Sequence, residues 1–313
     1  MTQLCAVCAQ ALNPSDHVVL EKDGYPIARC PTCGLVFRST LPTPDELTSI
    51  YSEAYFSSSA VERSDGYSDY IADERFHRDL ARRRLARLET AAGGSHGRLL
   101  DVGAAAGFFV GEAATWGWNA EGIDVAPAMV DWGRAQFGDR LRLGTLRDVS
   151  DRDSFRAVTM WDYVEHSLDP AADLALSFDL LERGGFLAVS TGDIDSAAAR
   201  LSRSRWHLLT PRHHNFFFSA RTLTMLLARL GYKTVFVGHP GARYSIEHVA
   251  YKVDRMLRVS AAHWASSKIA KSKIGRASTN SIRRSGISRE NTSAASSSRG
   301  SSKPHIRASP LAR

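Results

Sequence analysis

The chain has 313 residues, of which 43% are hydrophobic, and this length accommodates one full α/β domain with small additions. Its formal net charge of +7 is concentrated near the end, since the segment from Lys252 onward holds fourteen basic and two acidic residues whereas the rest holds 26 and 31. The main part is therefore mildly acidic, which argues against a general polyanion-binding surface there, and no apolar run approaches the length of a membrane span.

Two cysteine pairs come first along the chain. Cys5 and Cys8 form one C-x2-C pair, Cys30 and Cys33 form the other, and 21 residues separate the pairs. Four sulfurs at this spacing predict a tetrahedral zinc site, and because sulfur fills every position we expect the zinc to be structural rather than catalytic. The alternating segments HVVLEKDG and YPIARC between the pairs predict a short β-hairpin.

Two disulfides, or one redox-active C-x-x-C pair, are the alternatives to zinc. We expect no signal peptide ahead of the cysteines, since the opening residues MTQLCAVCAQ lack both a basic start and an apolar core. We therefore expect a cytoplasmic protein, where reducing conditions favour metal binding over disulfide formation. The charges between Cys5 and Cys33 sum to −1, which makes this segment a poor binder of phosphate.

A connector and an amphipathic helix follow. The connector, Leu41–Ser68, is rich in Pro, Ser and Tyr, and a short helix is predicted near Asp45–Tyr51. Asp69–Thr90 has apolar residues at helical spacing, which predicts a helix that packs one face on the core. Its many arginines are expected on the solvated face of the helix rather than against nucleic acid.

The next segment, Arg98–Val125, predicts a strand, a turn of small residues, a helix and a second strand. Gly103 and Gly107 permit unusual φ angles in the turn, and Asp124 ends the second strand, where a carboxylate accepts hydrogen bonds from a ribose. The turn lacks the middle glycine of the dinucleotide motif G-x-G-x-x-G. Asp101, just before the turn, would repel a diphosphate, so the pattern suits a ligand with a cationic centre. An ordinary strand–turn–helix without a ligand is the alternative.

Short strands continue to alternate with helices, which predicts an α/β fold with a doubly wound (Rossmann-like), mostly parallel sheet. The predicted strands are Arg98–Val102, Ala120–Val125, Leu141–Leu143, Ala157–Trp161, Phe186–Thr191 and Lys233–Gly238. The predicted helices are Gly107–Trp116, Pro127–Phe137, Ala171–Glu182 and Ala220–Leu230.

Two motifs carry a resemblance to a known family. The stretch RLLDVGAAAGFFVGEAATWGWNAEGIDV resembles the first motif of the class I S-adenosylmethionine-dependent methyltransferases, D/E-x-G-x-G-x-G, in which Ala often replaces the middle Gly. AVTMWDYVEHSLDP, followed by a helix, ERGG and an apolar strand, resembles later motifs of the same family. The resemblance covers about Leu99–Gly238 and implies a class I methyltransferase fold, S-adenosylmethionine as cofactor, and a small-molecule methyl acceptor.

The resemblance also implies which residues bind the cofactor. They are Asp101, Gly103, Ala104, Ala105, Gly107, Asp124, Thr145, Leu146 and Asp162. The helix at Asp69–Thr90 would cap the cofactor cleft, with Tyr67 or Tyr70 lining it. The cysteine module, which ends in C-x-x-C-G-L-V-F, resembles the zinc ribbon found ahead of methyltransferase domains that often act on sugars or surface polysaccharides. This implies a sugar or polysaccharide precursor as acceptor.

Four residues are candidates for acid–base catalysis: Glu165, His166, His213 and His214. Imidazole titrates near neutrality and can accept a hydroxyl proton, although His166 is equally explained by a hydrogen bond to a neighbouring loop. The segment RWHLLTPRHHNFFFS resembles the family's substrate-covering segment, so one of His213 and His214 is expected to face the cleft. Less favoured alternatives are a metal role for Glu165 and these histidines, as in some quinone O-methyltransferases, and a phosphate contact by nearby arginines. Those arginines are Arg203, Arg205 and Arg212.

The predicted organisation is a zinc ribbon at 1–40, a connector and cap helix at 41–96, a methyltransferase domain at 97–250 and a basic tail at 251–313. The tail is rich in Ser and Arg and poor in large apolar residues, so we expect disorder. It is interpreted as a tether to nucleic acid or as a non-functional extension, and no apolar strand follows Tyr244–Arg258 to close the sheet. Two other functions remain open: an RNA or protein methyltransferase that docks through ribbon and tail, and a zinc-ribbon binding module with a degenerate methyltransferase domain.

Overall fold

The computed structural model of the chain describes residues 2–43, 46 and 70–238. The helix predicted near Asp45–Tyr51 lies outside the described residues except for Glu46, as do Tyr67 and everything after Gly238, including the predicted tail and any closing strand. Within the described ranges, no helix combines the length and the apolar character needed to cross a bilayer.

The amino-terminal part folds into two small antiparallel sheets. Its strands are β1 (Gln3–Leu4), β2 (Ala11–Leu12), β3 (Val18–Lys22), β4 (Tyr25–Arg29) and β5 (Val36–Arg38). β1 pairs with β2, and β4 pairs with both β3 and β5. Asp23 and Gly24 join β3 to β4 with φ angles of 53° and 80°, the positive values that a two-residue hairpin turn requires. The hairpin predicted between the two cysteine pairs is confirmed.

The rest of the described chain alternates helices with strands. The elements are α1 (Glu74–Ala92), β6 (Arg98–Val102), α2 (Phe108–Thr115), β7 (Asn119–Asp124), α3 (Pro127–Phe137), β8 (Leu141–Leu143), β9 (Phe155–Trp161), α4 (Pro170–Leu180), β10 (Leu181–Ser190), α5 (Ala197–Ser202), β11 (Phe216–Phe217) and α6 (Ala220–Arg229). Side-chain caps explain several of the starts: Asp169 accepts a hydrogen bond from the Ala172 amide at α4, and Ser219 caps α6. β10 begins at Leu181 rather than at Phe186, with a shift in register between the two.

Five of these strands form a parallel sheet in the order β10-β9-β6-β7-β8. The chain leaves β6 in one direction towards β8 and then returns to the other side of β6 at β9, so the predicted doubly wound architecture is confirmed. Both faces of the sheet are buried: Leu99 packs with Leu85 of α1, whereas the next residue, Leu100, packs with Leu174 of α4. The carboxyl ends of the strands meet at one edge, where ligands of such sheets bind.

The predicted strand at Lys233–Gly238 is wrong. The described sheet ends at β10, and this segment makes no continuous strand beside it. Phe236 and Val237 are exposed, while the Tyr232 hydroxyl hydrogen-bonds the Leu174 carbonyl oxygen at 3.0 Å and so secures the end of α6. Apolar alternation produces a strand only where a partner strand satisfies the backbone hydrogen-bonding groups.

The expectation that the arginines of α1 lie on a solvated face is wrong for Arg78 and Arg84. Arg78 and Arg82 both contact the carboxylate of Glu112, which is buried on α2, at 3.0 and 2.8 Å, but the Arg78 side chain is mostly buried whereas the Arg82 side chain is exposed as expected. The Arg84 side chain is only 12% exposed and reaches Asp162, which follows β9 at the carboxyl edge of the sheet. These arginines attach α1 to the sheet and to α2, because a buried carboxylate requires a charged partner.

The amino-terminal sheet is completed by a strand from much later in the chain. β11 pairs antiparallel with β5, with Phe216 opposite Phe37, which gives the four-stranded order β11-β5-β4-β3. Cys30, Leu35 and Phe37 belong to the same hydrophobic cluster as Leu100 of the parallel sheet. The two sheets therefore share one core.

Candidate active site and metal centre

The bend after β6 begins at Gly103 and ends at Gly107. Gly103, Ala105 and Gly107 have φ angles of 74°, 46° and 78°, in the left-handed region that the glycines were expected to permit. A Cβ on Gly103 would lie 2.9 Å from Tyr163 Cδ2, and one on Gly107 would lie 2.7 Å from Leu141 Cδ2. Both glycines are thus required by the close packing of the fold as well as by their φ angles.

The two predicted acids lie on either side of this bend. Asp101, in β6, accepts a hydrogen bond from the Thr159 hydroxyl at 2.6 Å. Asp124, at the end of β7, accepts hydrogen bonds from the amides of Ala105 at 2.7 Å and Ala126 at 2.8 Å. The Asp124 carboxylate therefore holds the middle of the bend. Because β6 and β7 are adjacent parallel strands, both acids lie at the carboxyl edge of the sheet.

Burial dominates the electrostatics of these acids. It raises the pKa of Asp101 to about 7, and repulsion from Asp124 adds to the rise, while the Thr159 hydrogen bond and Arg84 oppose it. Burial also raises the pKa of Asp124, although the hydrogen bonds donated by the backbone amides of Ala126 and Ala105 counteract this rise. A cation placed between the two carboxyl groups would relieve both effects, which fits the sulfonium or ammonium group of the expected cofactor.

The other residues predicted to bind the cofactor occupy different environments. Ala104 packs into the core with its Cβ beside Gly122, so only its backbone can face a ligand. Thr145 is exposed and forms a capping box with Asp148, whereas Leu146 is fully buried in the core shared by the sheets. Their roles towards an adenine remain predictions.

Asp162 follows β9 and pairs with a residue that sequence reasoning does not single out. Arg84 of α1 donates a hydrogen bond to Asp162 Oδ2 at 2.9 Å and another to the Ser190 hydroxyl at 3.0 Å. Its guanidinium carbon also lies 4.5 Å from the ring centroid of Trp161. The signal for Arg84 is its spacing, four residues from both Leu80 and Leu88, which places it on the apolar stripe of α1.

Arg84 also determines how Asp162 ionises. Half of the Asp162 side-chain surface is exposed, and the other half is covered by neighbouring residues. This partial burial opposes ionisation of the carboxyl group. The charge of Arg84 and its hydrogen bond outweigh this burial and lower the pKa of Asp162. Asp162 is therefore ionised at neutral pH.

Three of the four predicted acid–base residues come together beside Asp162. Glu165, His166 and His214 each offer a ligand atom within 4.8 Å of the others, and the His166 and His214 rings meet edge to face with centroids 4.7 Å apart. Glu165, His166 and His214 therefore form one cluster, and the His213 side chain is not part of it. His213 is buried, and its carbonyl oxygen bonds Nδ1 of His166 at 2.9 Å.

The hydrogen bonds assign the protonation of the two clustered imidazoles. A carbonyl oxygen can only accept, so Nδ1 of His166 carries the proton that is donated to His213. Nδ1 of His214 donates in the same way to the Leu208 carbonyl oxygen at 2.9 Å. In the neutral form of each ring the basic lone pair therefore lies at Nε2.

The acid and the imidazole in this cluster have opposite pKa changes. Burial, followed by repulsion from Asp162, raises the pKa of Glu165 to about 8, so this carboxyl group is mostly protonated at neutral pH. Its Oε2 atom is buried and has no hydrogen-bond donor among the described residues. Burial lowers the pKa of His166, against the His213 hydrogen bond and the attraction of Asp162, so the imidazole is neutral and able to accept a proton.

The four cysteine sulfurs converge as the spacing predicts. Sγ of Cys5 lies 3.5 Å from Sγ of Cys33, Sγ of Cys8 lies 3.7 Å from Sγ of Cys30, and all four thiols are free. A tetrahedron with zinc–sulfur bonds of about 2.3 Å has sulfur–sulfur distances of about 3.8 Å. The donor set and its dimensions therefore fit zinc.

The fold defines an α/β protein with a doubly wound parallel sheet, and two buried acids lie at the carboxyl edge of that sheet. A sequence profile described as "Methyltransferase domain" matches residues 72–236, which is more than half of the chain. The chain therefore belongs to this methyltransferase domain family, as the resemblance implied.

Individual proteins are also similar to the chain. A ubiquinone biosynthesis O-methyltransferase from Xanthomonas axonopodis pv. citri is 34% identical over 124 residues, covering 37% of this chain and half of that protein. The structure of a 1,6-didemethyltoxoflavin-N1-methyltransferase from Burkholderia thailandensis is 18% identical and has a TM-score of 0.47. The match covers 72% of this chain and 92% of the Burkholderia chain. A possible histamine N-methyltransferase from Thermotoga maritima is 22% identical, covers 55% and 82%, and has a TM-score of 0.43.

Proposed function

We propose that the chain binds S-adenosylmethionine and transfers its methyl group to a small molecule. The observation that carries the proposal is the pair of buried acids, Asp101 and Asp124, on either side of a left-handed bend at the carboxyl edge of a parallel sheet. Membership of the methyltransferase domain family supports the same conclusion. The bound cofactor would supply a methyl group on a positively charged sulfur, open to in-line displacement by a nucleophile.

The residues of the chain have distinct parts in this proposal. Asp124 offers acceptors for the ribose hydroxyls, and Asp101 places a carboxyl group next to the cationic portion. In this proposal Nε2 of His166, which carries the lone pair because Nδ1 bonds the His213 carbonyl oxygen, accepts the proton that a hydroxyl or amine acceptor loses as its oxygen or nitrogen attacks. His214 is a second base of the same tautomer, while His213 acts through its carbonyl oxygen.

We propose a hydroxyl-bearing acceptor. The ribbon's resemblance to modules that precede sugar-modifying methyltransferases supports a sugar or polysaccharide precursor. The partial match to a ubiquinone biosynthesis O-methyltransferase supports testing a phenol beside it. A panel of nucleotide sugars, phenols and amines is assayed for release of the demethylated cofactor, and release with amines alone would contradict a hydroxyl acceptor.

Cofactor binding is tested by titration calorimetry of the full chain with S-adenosylmethionine and with its demethylated product. We expect binding of both, and at least about thirtyfold weaker binding by Asp124→Ala, because buried ribose hydroxyls would lose their acceptor. Asp131→Ala, which removes an exposed acid on α3, is the matched control and is expected to bind normally.

Asp124 also holds the bend, so its loss could weaken binding through the fold alone. Cofactor affinity and melting temperature are therefore measured for Asp124→Asn as well as for Asp124→Ala. Absence of binding by the folded, metal-loaded wild-type chain would end the proposal. Equal affinities of wild type and Asp124→Ala would remove the ribose role.

We propose further that the four cysteines hold one structural zinc ion. The sulfur distances support this, and four thiolates leave no position for a substrate. The alternative of docking to RNA or protein through the tail depends on residues outside the described part of the chain.

A further inference from the structure

Two loops of the candidate active site are tied together at one residue. The loop after β9 carries Glu165 and His166, and the segment before β11 carries His214 and Asn215. The Asn215 amide donates to the Glu165 carbonyl oxygen at 2.7 Å, and the Phe216 amide donates to the same oxygen at 3.2 Å. Neither loop contacts the other through a regular strand, so these bonds determine their relative position.

The Asn215 side chain strengthens this tie. Its Nδ2 donates to the carbonyl oxygens of His166 at 2.9 Å and Ser167 at 3.3 Å, and the residue is only 2% exposed. A primary amide has two N–H donors, which match two successive carbonyls of a loop that lacks a neighbouring strand. Without the Asn215 side chain, the buried Ser167 carbonyl and the partly buried His166 carbonyl would lose this donor.

The amino-terminal sheet holds Asn215 from the other side. The Arg38 amide donates to the Asn215 carbonyl oxygen at 2.8 Å, at the point where β5 pairs with β11. β5 begins three residues after Cys33, and Arg221 of α6 donates to the Cys33 carbonyl oxygen at 2.5 Å. The path from a metal-binding cysteine to the acid–base loop is therefore short and continuously bonded.

The first cysteine pair is attached to the same helix. Arg229 of α6 donates to the carbonyl oxygens of Ala6 at 2.7 Å and Val7 at 2.8 Å, both within the Cys5–Cys8 knuckle. Both knuckles are thus bound to α6 by guanidinium groups. The ribbon is fixed to α6 at each knuckle and to β11 at β5, which leaves it little freedom to act as a separately moving module.

We propose that Asn215 is a positioning residue for Glu165 and His166, and that the metal-bound ribbon holds Asn215 in place. This role rests on the proposed function of Glu165 and His166. The position of the loop that carries them can nevertheless be measured without any methyl transfer. In this arrangement the ribbon is a structural component of the active site, and its metal determines the placement of the acid–base loop.

The direct test is Asn215→Ala in the metal-loaded full chain, studied by NMR and by hydrogen exchange. We expect the ring signals of His166 to move, because its position against His214 and its bond to His213 both depend on the tie. We expect amides 163–168 to exchange faster by about tenfold or more, since two hydrogen bonds to the loop are lost. His96, a surface histidine bonded to Glu89, serves as the unchanged internal reference.

Two variants separate positioning from general stability. Ser177→Ala removes a buried hydroxyl of α4 that hydrogen-bonds Tyr232 at 2.9 Å, so it should lower the melting temperature without moving the His166 signals. Asn215→Ser keeps one donor and should show a smaller displacement than Asn215→Ala, and it decides the question if the alanine variant does not fold. Unchanged His166 signals and unchanged exchange in a destabilised Asn215 variant would overturn the positioning role.

The contribution of the ribbon is measured by withdrawing the metal with a chelator at a temperature where the far-ultraviolet circular dichroism is retained. The same His166 signals and the same amides should respond in the wild type, and metal withdrawal should add little in Asn215→Ala. A response of equal size in both proteins, or none in the wild type, would show that the ribbon does not act through Asn215. Cofactor calorimetry is a separate measurement, so failure of the proposed methyl transfer would be recognised independently.

Discussion

The carboxyl group of Asp101 lies at the end of β6, shielded from water and close to Asp124. Because its pKa is raised from 3.8 to about 7, the folded chain binds a proton there more tightly than the unfolded chain does. The stability that this provides is complete below a pH of about 4 and is lost as the pH rises through about 7. The ligand-free protein therefore bears an unfavourable buried charge above neutrality, which a cationic ligand would neutralise.

Asp101→Asn should accordingly stabilise the ligand-free protein at alkaline pH. The asparagine keeps the oxygen that accepts from Thr159 and carries no charge, so the variant and the wild type should be similarly stable below a pH of about 4 and should diverge as the pH rises to about 7. At pH 9 the variant should have the larger free energy of unfolding, by at most about 4 kcal/mol. Urea unfolding of both proteins across this range measures the difference, and a difference independent of pH would contradict the shifted ionisation.

At the scale of single residues, the sequence predicts the candidate site residues that lie at strand ends but not those that depend on long-range packing. Asp101 and Asp124 lie in the last two residues of their strands, and Glu165 and His166 follow β9, so the sheet order alone brings them to one edge. Asn215 was missed because its partners are loop carbonyls far along the chain, which no local pattern reveals. The choice between His213 and His214 likewise depends on which ring meets His166, a fact of packing rather than of motif.

Among elements, α1 is attached to the sheet by Arg84 at the edge where the site lies. Arg84→Ala should destabilise the protein by about 2–3 kcal/mol, because it leaves Asp162 near other acids without its cation and removes packing on Trp161. The matched control is Arg83→Ala on the same helix, whose pair with Asp79 is partly exposed and should be worth less than about 1 kcal/mol. Denaturant unfolding measures the free energy of unfolding of both variants. Equal losses would show that the Arg84–Asp162 pair contributes no more than an ordinary surface ion pair.

Element boundaries were predictable where glycine, proline or a cap marks them, as at Pro127 and at the bend before α2. β11 was not predictable, because two phenylalanines are as typical of a core as of a strand and only pairing with β5 distinguishes them. The failed strand at Lys233–Gly238 shows the opposite error, in which a strand-like pattern lacks a partner in the described sheet.

In the whole molecule, ribbon and parallel sheet share one hydrophobic cluster, so metal loss should affect both. We expect one zinc ion per chain by elemental analysis, and its loss in Cys8→Ser. Thermal unfolding of that variant should remain a single transition at a lower temperature, since the shared core unfolds cooperatively. Ser15→Ala, on the exposed surface of the same part, should keep both metal and melting temperature. Two separate transitions, with the larger one unmoved, would show that the ribbon is independent.

The pairing of Phe37 with Phe216 has a consequence for biosynthesis. The ribosome must add the entire parallel sheet before the last strand of the ribbon's sheet exists, and at about 5–20 residues per second this delay is on the order of ten seconds or more. Until then β5 presents an unpaired edge to solvent or to other nascent chains. Early capture of the metal by the two knuckles would keep this edge ordered while translation continues, so cells starved of zinc should accumulate aggregated nascent chain before they accumulate inactive enzyme.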